Sequence, residues 1–321
     1  MTDVGLVENI ALDAGLSEIS VVEIIQNAPA RYKVYTIPKK GGGYRIIAQP
    51  ARELKAIQRS ISKLVLENMP VHGCAVAYRK RIGILHNATM HSGSNPILKL
   101  DFEKFFNSIT AEAWTRYLSS QKTISLSRRE ITLLTRALFW GEGKADPRCL
   151  SIGAPTSPLV SNVLMFAFDV EMSTFSTIHG ITYTRYADDI TVSSRDIRTL
   201  QLFERHLRQY INRIRTPALT LNEEKRAIYS AGNRRMVTGL ILTPDGKVSI
   251  GRDRKREISA LIHRFSLGIL PYDRHGYLHG MLAFAVSIEP EFASRMSEKY
   301  GNDIIRDILH YRVPRRNGSP R

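Results

Sequence analysis

Residues 182–194, TYTRYADDITVSS, place two adjacent aspartates between two runs of alternating, β-favouring residues. Alternation with a period of two predicts strands, and the short break between the runs predicts a tight hairpin turn. Two neighbouring carboxylates repel each other, so the pair calls for an explanation. One interpretation is a solvated turn, where Asp is common because its side chain bonds to nearby backbone. The other is that Asp188 and Asp189 hold a divalent cation through their oxygens.

The net charge of the chain indicates which class of molecule it binds. Its 321 residues include 46 Lys and Arg against 30 Asp and Glu, a net charge of +16. A protein this basic usually binds a polyanion, most often nucleic acid. Hydrophobic residues make up 43% of the chain, which is ordinary for a globular protein and excludes a disordered one.

Targeting and membrane signals are weak. The uncharged stretch 149–168 contains Gly153, Pro155 and Pro158, so we do not expect it to span a membrane. The N-terminus is acidic and does not resemble a signal peptide. Cys74 and Cys149 lie far apart and lack metal-binding spacing. We expect a cytoplasmic protein without disulfides.

The patterns along the chain predict interleaved helices and strands. They comprise short helices in 1–30, a hairpin with strands at 34–37 and 44–48, a helix over 52–69, a strand from 97, a helix over 199–214, a hairpin turning at Asp245-Gly246 and helices from Arg252 onward. A further helix begins near residue 157, with Ser157 as N-cap and Pro158 as first helical residue. Because the elements do not follow a strict βαβ order, we predict the α+β class.

Asp101 supplies a further carboxylate, directly after the apolar residues Ile97, Leu98 and Leu100. A strand-end Asp and a hairpin Asp converge if their strands are neighbours in one sheet. Converging carboxylates suit Mg²⁺, a hard cation, and leave positions open for phosphate oxygens. Two such ions can clamp the attacking and leaving oxygens of a phosphoryl transfer.

Two glycine-containing stretches are compatible with nucleotide binding. KKGGGYR places Lys39, Lys40 and Arg45 around a glycine tip that suits a triphosphate, although a solvated hairpin explains it equally well. LSIGAPTSP places Gly153 before a helix start, where backbone can approach a nucleotide closely or simply connect a loop to a helix.

Five stretches together resemble the ordered motifs of reverse transcriptases: KLDFEKFF, IGAPTSP, YADD, LTLNEEK and VTGLIL. The stretch from Asn87 to His91, NATMH, is similar to the Asn-Ala-x-x-His signature of retron reverse transcriptases, and VTG at 237–239 is similar to their second signature. The resemblance runs from about Arg31 to the C-terminal helices. One departure is Ile152, which stands where many relatives have a glutamine.

The resemblance implies a right-hand polymerase fold with fingers, a palm of antiparallel sheet with helices, and a helical thumb. The implied division is an N-terminal helical segment (1–30), fingers (31–95), palm with the first carboxylate (96–115), a fingers or palm helical segment (116–148), palm (149–242), and thumb with a basic C-terminal tail (243–321).

The resemblance also implies roles for individual residues. Asp101, Asp188 and Asp189 would be catalytic and would hold two Mg²⁺ ions, for which Mn²⁺ can substitute. Asp189 would either bind a metal ion directly or act through the electrostatic field of the site. The implied nucleotide-binding residues are Lys40, Arg45, Phe102, Phe106, Gly153, Ala154 and Lys225. The implied RNA- or DNA-binding residues are Asn87, His91, Val237, Thr238, Gly239, Arg252, Arg254, Lys255 and Arg256.

Four of these roles have alternatives. Asn87 and His91 fit an RNA-contacting or a structural role. Phe106 matches the residue that excludes a ribonucleotide 2′-hydroxyl and can also pack in the core. Lys225 matches a lysine that assists pyrophosphate departure as an acid, and it equally fits a surface lysine. The basic residues from Arg252 to Arg256 suit phosphate contacts or a solvated helix face.

The function implied is that of a retron reverse transcriptase in the bacterial cytoplasm. Such an enzyme copies part of a structured non-coding partner RNA of the msr-msd type into single-stranded DNA with dNTPs. It starts from an RNA 2′-hydroxyl and serves in anti-phage defence beside an effector protein. The alternatives are another bacterial reverse transcriptase, of the group II intron or diversity-generating kind, and a non-catalytic RNA-binding scaffold.

Overall fold

The computed structural model describes residues 5–39, 42–93, 96–121, 126–214, 216–230 and 234–312. Its helices are α1 (Leu6–Ala14), α2 (Glu18–Gln26), α3 (Arg52–Leu64), α4 (Ile84–Met90), α5 (Phe105–Ser108), α6 (Ala111–Ser120), α7 (Arg128–Leu138), α8 (Ser157–Leu164), α9 (Phe166–Ile178), α10 (Ile197–Arg213), α11 (Arg252–Ser266), α12 (Tyr272–Ile288), α13 (Pro290–Tyr300) and α14 (Asn302–Leu309). Short 3₁₀ turns occur at Ala28–Ala30, Leu66–Asn68 and Glu223–Lys225.

The strands form three separate sheets. They are β1 (Tyr32–Pro38), β2 (Tyr44–Pro50), β3 (Ile97–Asp101), β4 (Thr182–Tyr186), β5 (Asp189–Ser193), β6 (Ala227–Tyr229), β7 (Met236–Val237), β8 (Leu240–Leu242) and β9 (Val248–Ser249). The sheet orders are β1-β2, β4-β5-β3-β6 and β7-β8-β9. Antiparallel pairing joins β3 and β4 to β5 between them. Helices and antiparallel strands together confirm the α+β class.

Two compact units divide the chain. The first comprises Met1–Arg81 and Pro96–Ile228, and the second comprises Ile82–Asn95 and Tyr229–Arg321. One limit falls between Asn95 and Pro96, at the predicted end of the fingers, whereas the limit between Ile228 and Tyr229 lies within residues 149–242, predicted as palm. The division into fingers, palm and thumb stays a prediction. Residues 82–95, predicted as fingers, group with the C-terminal residues because α4 packs on the β7-β8-β9 sheet.

The core of the first unit lies under its four-stranded sheet. Leu98, Leu100, Ile190 and Val192 are buried side chains on β3 and β5, and they pack with aromatic residues from the neighbouring helices. These four apolar side chains recur at every second position and so share one face of the sheet. The sheet is therefore fixed in register, because a slip by one residue would turn the apolar side chains of one strand to the other face.

Two helix predictions need correction. Thr156 occupies the N-cap of α8 and Ser157 is its first helical residue, so the predicted cap is shifted by one position. The apolar run that follows is broken at Met165, where α8 ends and α9 begins. The helix predicted over 52–69 likewise ends at Leu64 and continues as a 3₁₀ turn.

Other predicted elements are confirmed. The hairpins at 32–50, 182–193 and 240–249 are present, as are helices in the N-terminal thirty residues and from Arg252 onward. Cys74 and Cys149 are buried free thiols. Across the described ranges, no helix combines the length and apolar character that crossing a membrane would require.

Candidate active site

Strand register brings the predicted carboxylates together at one end of the four-stranded sheet. Asp101, the last residue of β3, pairs directly with Asp189, the first residue of β5. Asp188 lies in the turn between β4 and β5, and its carbonyl accepts a hydrogen bond of 3.1 Å from the Phe102 amide. The predicted convergence of a strand-end Asp and a hairpin Asp is therefore confirmed.

Two lysines offset the repulsion between the paired carboxylates, which would otherwise destabilise the strand pair. Lys99 Nζ lies 3.0 Å from Asp189 Oδ2, with only 18% of the lysine side chain exposed. Lys225 Nζ lies 2.8 Å from Asp101 Oδ1, and this lysine is more than half exposed. Each carboxylate at the strand ends thus has one ammonium partner.

The pKa values of the two hairpin aspartates respond to burial and to their neighbours. Burial raises the pKa of Asp188, and the negative charge of Asp101 raises it further. Burial also raises the pKa of Asp189, while the Lys99 ammonium acts in the opposite direction. The influence of Asp101 on both groups shows that the three carboxylates share one electrostatic site.

The chemistry of these donors fits a divalent cation. All three are carboxylates, which hard cations such as Mg²⁺ prefer, and all three are half-buried. Among the described residues, no three His, Cys, Asp or Glu side chains form a ready-made ligand cluster. Asp101 and Asp189 instead contact lysine, so a cation at this site would compete with two ammonium groups.

A network of salt bridges fixes the turn that carries Lys225. Glu204 on α10 accepts from Arg226, with both contacts at 2.7 Å, and from Arg208. Arg208 also binds Glu223 at 2.6 and 2.9 Å. These contacts hold both ends of the Glu223–Lys225 turn against α10. Lys225 therefore projects toward Asp101 from a supported backbone.

The glycine-rich tip of the first hairpin is described only in part. Lys40 lies outside the described residues, and Arg45 on β2 has an exposed side chain. Tyr78 has a left-handed backbone, with φ 62°, and its ring lies 6.4 Å from that of Tyr186. Burial and then the Asp188 charge raise the pKa of Tyr78, whereas Arg45 acts to lower it. Tyr78 is therefore within electrostatic reach of both groups.

The loop before α8 packs against β2. The Ala48 amide donates to the Ile152 carbonyl at 2.9 Å, so this contact does not depend on the side chain at position 152. A Cβ on Gly153 would lie 2.9 Å from the Ala48 carbonyl oxygen, and Gly153 has a φ of 127°. Only glycine both lacks the Cβ that would clash with this oxygen and readily adopts a positive φ. Gly153 remains exposed at the surface, whereas Ala154 is buried.

The aromatic residues after Asp101 divide between core and site. The Phe102 ring is 2% exposed, stacks on Phe105 at 5.8 Å and meets Phe168 edge-on. The core encloses the Phe102 ring, so the role of this residue in nucleotide binding stays a prediction that the ring itself does not support. Phe106 is half-buried and tilted against Phe105. The Phe106 side chain therefore contacts the core and is also partly exposed to solvent.

In the second unit, the two retron-like signature stretches lie on packed elements, because α4 contacts β7 and β8. The Thr238 hydroxyl donates to the Ile84 carbonyl on α4 at 3.3 Å. Asn87, His91 and Val237 are fully buried, which agrees with the structural alternative for Asn87 and His91; RNA binding by these three residues stays a prediction. Their burial gives them a packing role. Thr238 and Gly239 are half-buried in a turn.

The predicted basic residues on α11 have different environments. Arg252 and Arg256 are exposed. Arg254 Nη1 donates to the Gly239 carbonyl at 2.9 Å, and its guanidinium lies over the Phe284 ring. Lys255 pairs with Glu289 at 2.5 Å. Arg254 and Lys255 thus support the fold of this unit, and Arg252 and Arg256 present their charge to solvent.

Sequence reasoning missed two residues at the carboxylate site, Lys99 and Tyr78. A signal for Lys99 was present, because residues two apart on a strand share a face and Lys99 precedes Asp101 by two. Tyr78 lies in an irregular segment far from the motifs in sequence, where no periodic pattern could locate it.

This chain is similar to known reverse transcriptases over most of its length. A family model described as reverse transcriptase (RNA-dependent DNA polymerase) matches residues 37–264. The retron Ec83 reverse transcriptase of Escherichia coli is 40% identical over 90% of this chain and 93% of that protein. The retron Ec86 reverse transcriptase of Escherichia coli is 31% identical over 87% of this chain and 86% of that protein. A solved telomerase from Candida albicans aligns with a TM-score of 0.49 and 11% identity, over 90% of this chain and 62% of that one.

Lys99→Met tests the electrostatic balance of the site. Loss of the ammonium leaves Asp189 opposite Asp101 with one cation fewer, so we expect the free energy of unfolding to fall by about 1–3 kcal/mol. Added Mg²⁺ should raise the melting temperature of Lys99→Met more than that of the wild type. Thermal melts in EDTA and in Mg²⁺ measure both effects.

Lys63→Met is the matched control, because Lys63 pairs with Asp13 at an exposed position away from the carboxylates. Its melting temperature should change little and its response to Mg²⁺ should equal that of the wild type. Equal responses of Lys99→Met and Lys63→Met would contradict the assigned role of Lys99.

Proposed function

This chain belongs to the retron reverse transcriptases and is an RNA-directed DNA polymerase; we propose that Asp101, Asp188 and Asp189 carry its chemistry. The observation that carries the proposal is the register of Asp101 opposite Asp189, with Asp188 on the adjoining turn. Reverse transcriptases generally use divalent metal ions. Bound here, two Mg²⁺ ions, or Mn²⁺ in their place, would stabilise charge on the reacting phosphate oxygens.

The surrounding residues would bind and orient a deoxynucleoside triphosphate. Arg45 would bind its phosphates through the forked guanidinium, together with Lys40. Gly153 would let backbone approach the nucleotide, with Ala154 beneath it. Lys225 would donate a proton to the departing pyrophosphate; its contact with Asp101 and the salt bridges around its turn support that role.

We further propose that the second unit contributes to binding of a structured partner RNA and the DNA copied from it. Exposed Arg252 and Arg256 would contact phosphates, supported by the neighbouring Arg254 and Lys255. Thr238 and Gly239 would contribute from the turn between β7 and β8. The net charge of +16 supports binding of a polyanion, with an affinity that falls as salt rises.

The proposed product is single-stranded DNA joined to its RNA through a 2′-hydroxyl, made for anti-phage defence with an effector protein. Similarity to two named retron reverse transcriptases over most of their length supports this product over those of intron or diversity-generating enzymes.

Asp188→Asn combined with Asp189→Asn tests the catalytic proposal. Removing two of three carboxylates should lower nucleotide incorporation at least about 100-fold, because charge stabilisation in the transition state is lost. Primer extension with Mg²⁺ and dNTPs measures it. Asp146→Asn with Asp303→Asn removes the same charge at positions 90% and 82% exposed and should leave incorporation unchanged. Intact incorporation in the first variant would show that the active site lies elsewhere.

Recovery of nucleic acid bound to the full chain in bacteria tests the proposed product. We expect a short structured RNA joined to DNA, with the junction resistant to ribonuclease and cleaved by a 2′–5′ debranching enzyme. Sequencing both strands identifies the partner RNA and the branching nucleotide. Linear complementary DNA without a branch would exclude the proposed priming reaction while leaving polymerase activity untouched.

Phe106→Ala tests sugar selection. Loss of the half-buried ring should make room for a ribonucleotide 2′-hydroxyl, so incorporation of ribonucleotides relative to deoxynucleotides should rise about 10-fold or more. Ratios of kcat/KM for ATP and dATP measure the change. Phe166→Ala removes another half-buried ring of the same unit and should keep the wild-type ratio. An unchanged ratio in Phe106→Ala would remove this residue from sugar selection.

A further inference from the structure

The turn that carries Asp188 contains a residue with an uncommon backbone conformation. Ala187 is 3% exposed and has a φ of 59°, in the left-handed region that non-glycine residues rarely adopt. Such a conformation persists only when surrounding contacts determine it. Asp188 follows directly, so the direction of its carboxylate depends on what holds Ala187.

Arg185 makes the side-chain contact that holds this residue. Its Nη1 donates to the Ala187 carbonyl at 3.1 Å and to Asn162 Oδ1 at 3.2 Å. Its Nε and Nη2 donate to the two carboxylate oxygens of Asp169 at 2.8 and 2.5 Å. One planar guanidinium therefore joins the turn to Asn162 on α8 and Asp169 on α9.

The pair Arg185–Asp169 is costly to bury, and both side chains are fully enclosed. Further contacts fix each partner. The Tyr183 hydroxyl donates to Asp169 at 3.1 Å, and the Arg185 backbone bonds to the Cys74 carbonyl and the Val76 amide at 2.9 and 3.0 Å. The guanidinium thus has no freedom to leave the turn without breaking a buried ion pair.

We propose that Arg185, held by Asp169 and Asn162, is a positioning residue that sets the orientation of Asp188 by fixing the Ala187 carbonyl. It acts through the turn and does not touch a substrate. A lysine cannot replace it, because a single ammonium cannot bind both Asp169 oxygens and reach the Ala187 carbonyl at once. The inference rests on the proposed catalytic role of Asp188.

The test compares Arg185→Lys with Tyr183→Phe in the full chain. Tyr183→Phe removes one hydrogen bond to Asp169 and leaves the four donated by Arg185 in place. Extension of oligo(dT) on poly(rA) gives kcat and the KM for dTTP. Hydrogen exchange of residues 186–190 in metal-free protein reports on the turn without any reaction.

In Arg185→Lys, kcat should fall about 10–100-fold, because displacement of a reacting group by about 1 Å has an effect of this size. The KM for dTTP should stay within about twofold, since nucleotide contacts are untouched. The turn amides should exchange about 10-fold faster than in Tyr183→Phe, which should retain the wild-type kcat. A wild-type kcat in Arg185→Lys, or equal exchange in both variants, would overturn the proposal.

Asn162→Ser provides a second variant should Arg185→Lys fail to fold, because it removes one acceptor of Nη1, together with the bond that Asn162 Nδ2 donates to the Ala77 carbonyl, and leaves the ion pair. Its kcat should fall about 3–10-fold with an unchanged KM, an effect of the size seen for loss of one hydrogen bond. A wild-type kcat and wild-type exchange would overturn the proposal. Asp188→Asn distinguishes failure of the proposed catalytic role of Asp188 from failure of the positioning role of Arg185. If Asp188→Asn keeps incorporating dTTP, the catalytic role is wrong. The hydrogen exchange of the Arg185 variants still tests the positioning role in that case.

Discussion

Like charge at the ends of two paired strands is the constraint on which the first unit depends. Asp101 and Asp189 lie directly opposite each other, an arrangement that a sheet disfavours on its own. The fold counters it with Lys99 on the same strand face and Lys225 on a turn that salt bridges hold to α10. Beneath the carboxylates, the enclosed rings of Phe102 and Phe105 keep β3 in place. The site thus holds a concentrated negative charge on a rigid support, which suits a divalent cation.

The parts of this site that the sequence predicts are those with a local pattern. Alternation locates β4 and β5, and the apolar run before Asp101 locates β3. The pairing of β3 with β5 follows only from the requirement that the carboxylates meet. Lys99 could have been found from its spacing to Asp101. Arg185 could not, because its role depends on Asp169 and Asn162 from helices packed behind the hairpin.

Motif resemblance alone does not show which side chains contact a ligand, because the burial of each side chain must also be known. Phe102, Asn87, His91 and Val237 all belong to motif-like stretches, yet each is enclosed in its own unit. Short motifs contain both the residues that meet a ligand and the residues that hold those in position, and the sequence does not separate them. The break between α8 and α9 at Met165 shows the same limit, since a continuous apolar run gives no sign of it.

The second unit is assembled from two distant parts of the chain, Ile82–Asn95 and the residues from Tyr229 onward. During synthesis, α4 leaves the ribosome well before the strands that cover it. The buried faces of Asn87, Ala88 and His91 therefore lack their partner sheet until residues 236–249 have been synthesised. A product that ends before β7 would leave the face of α4 that packs on this sheet uncovered.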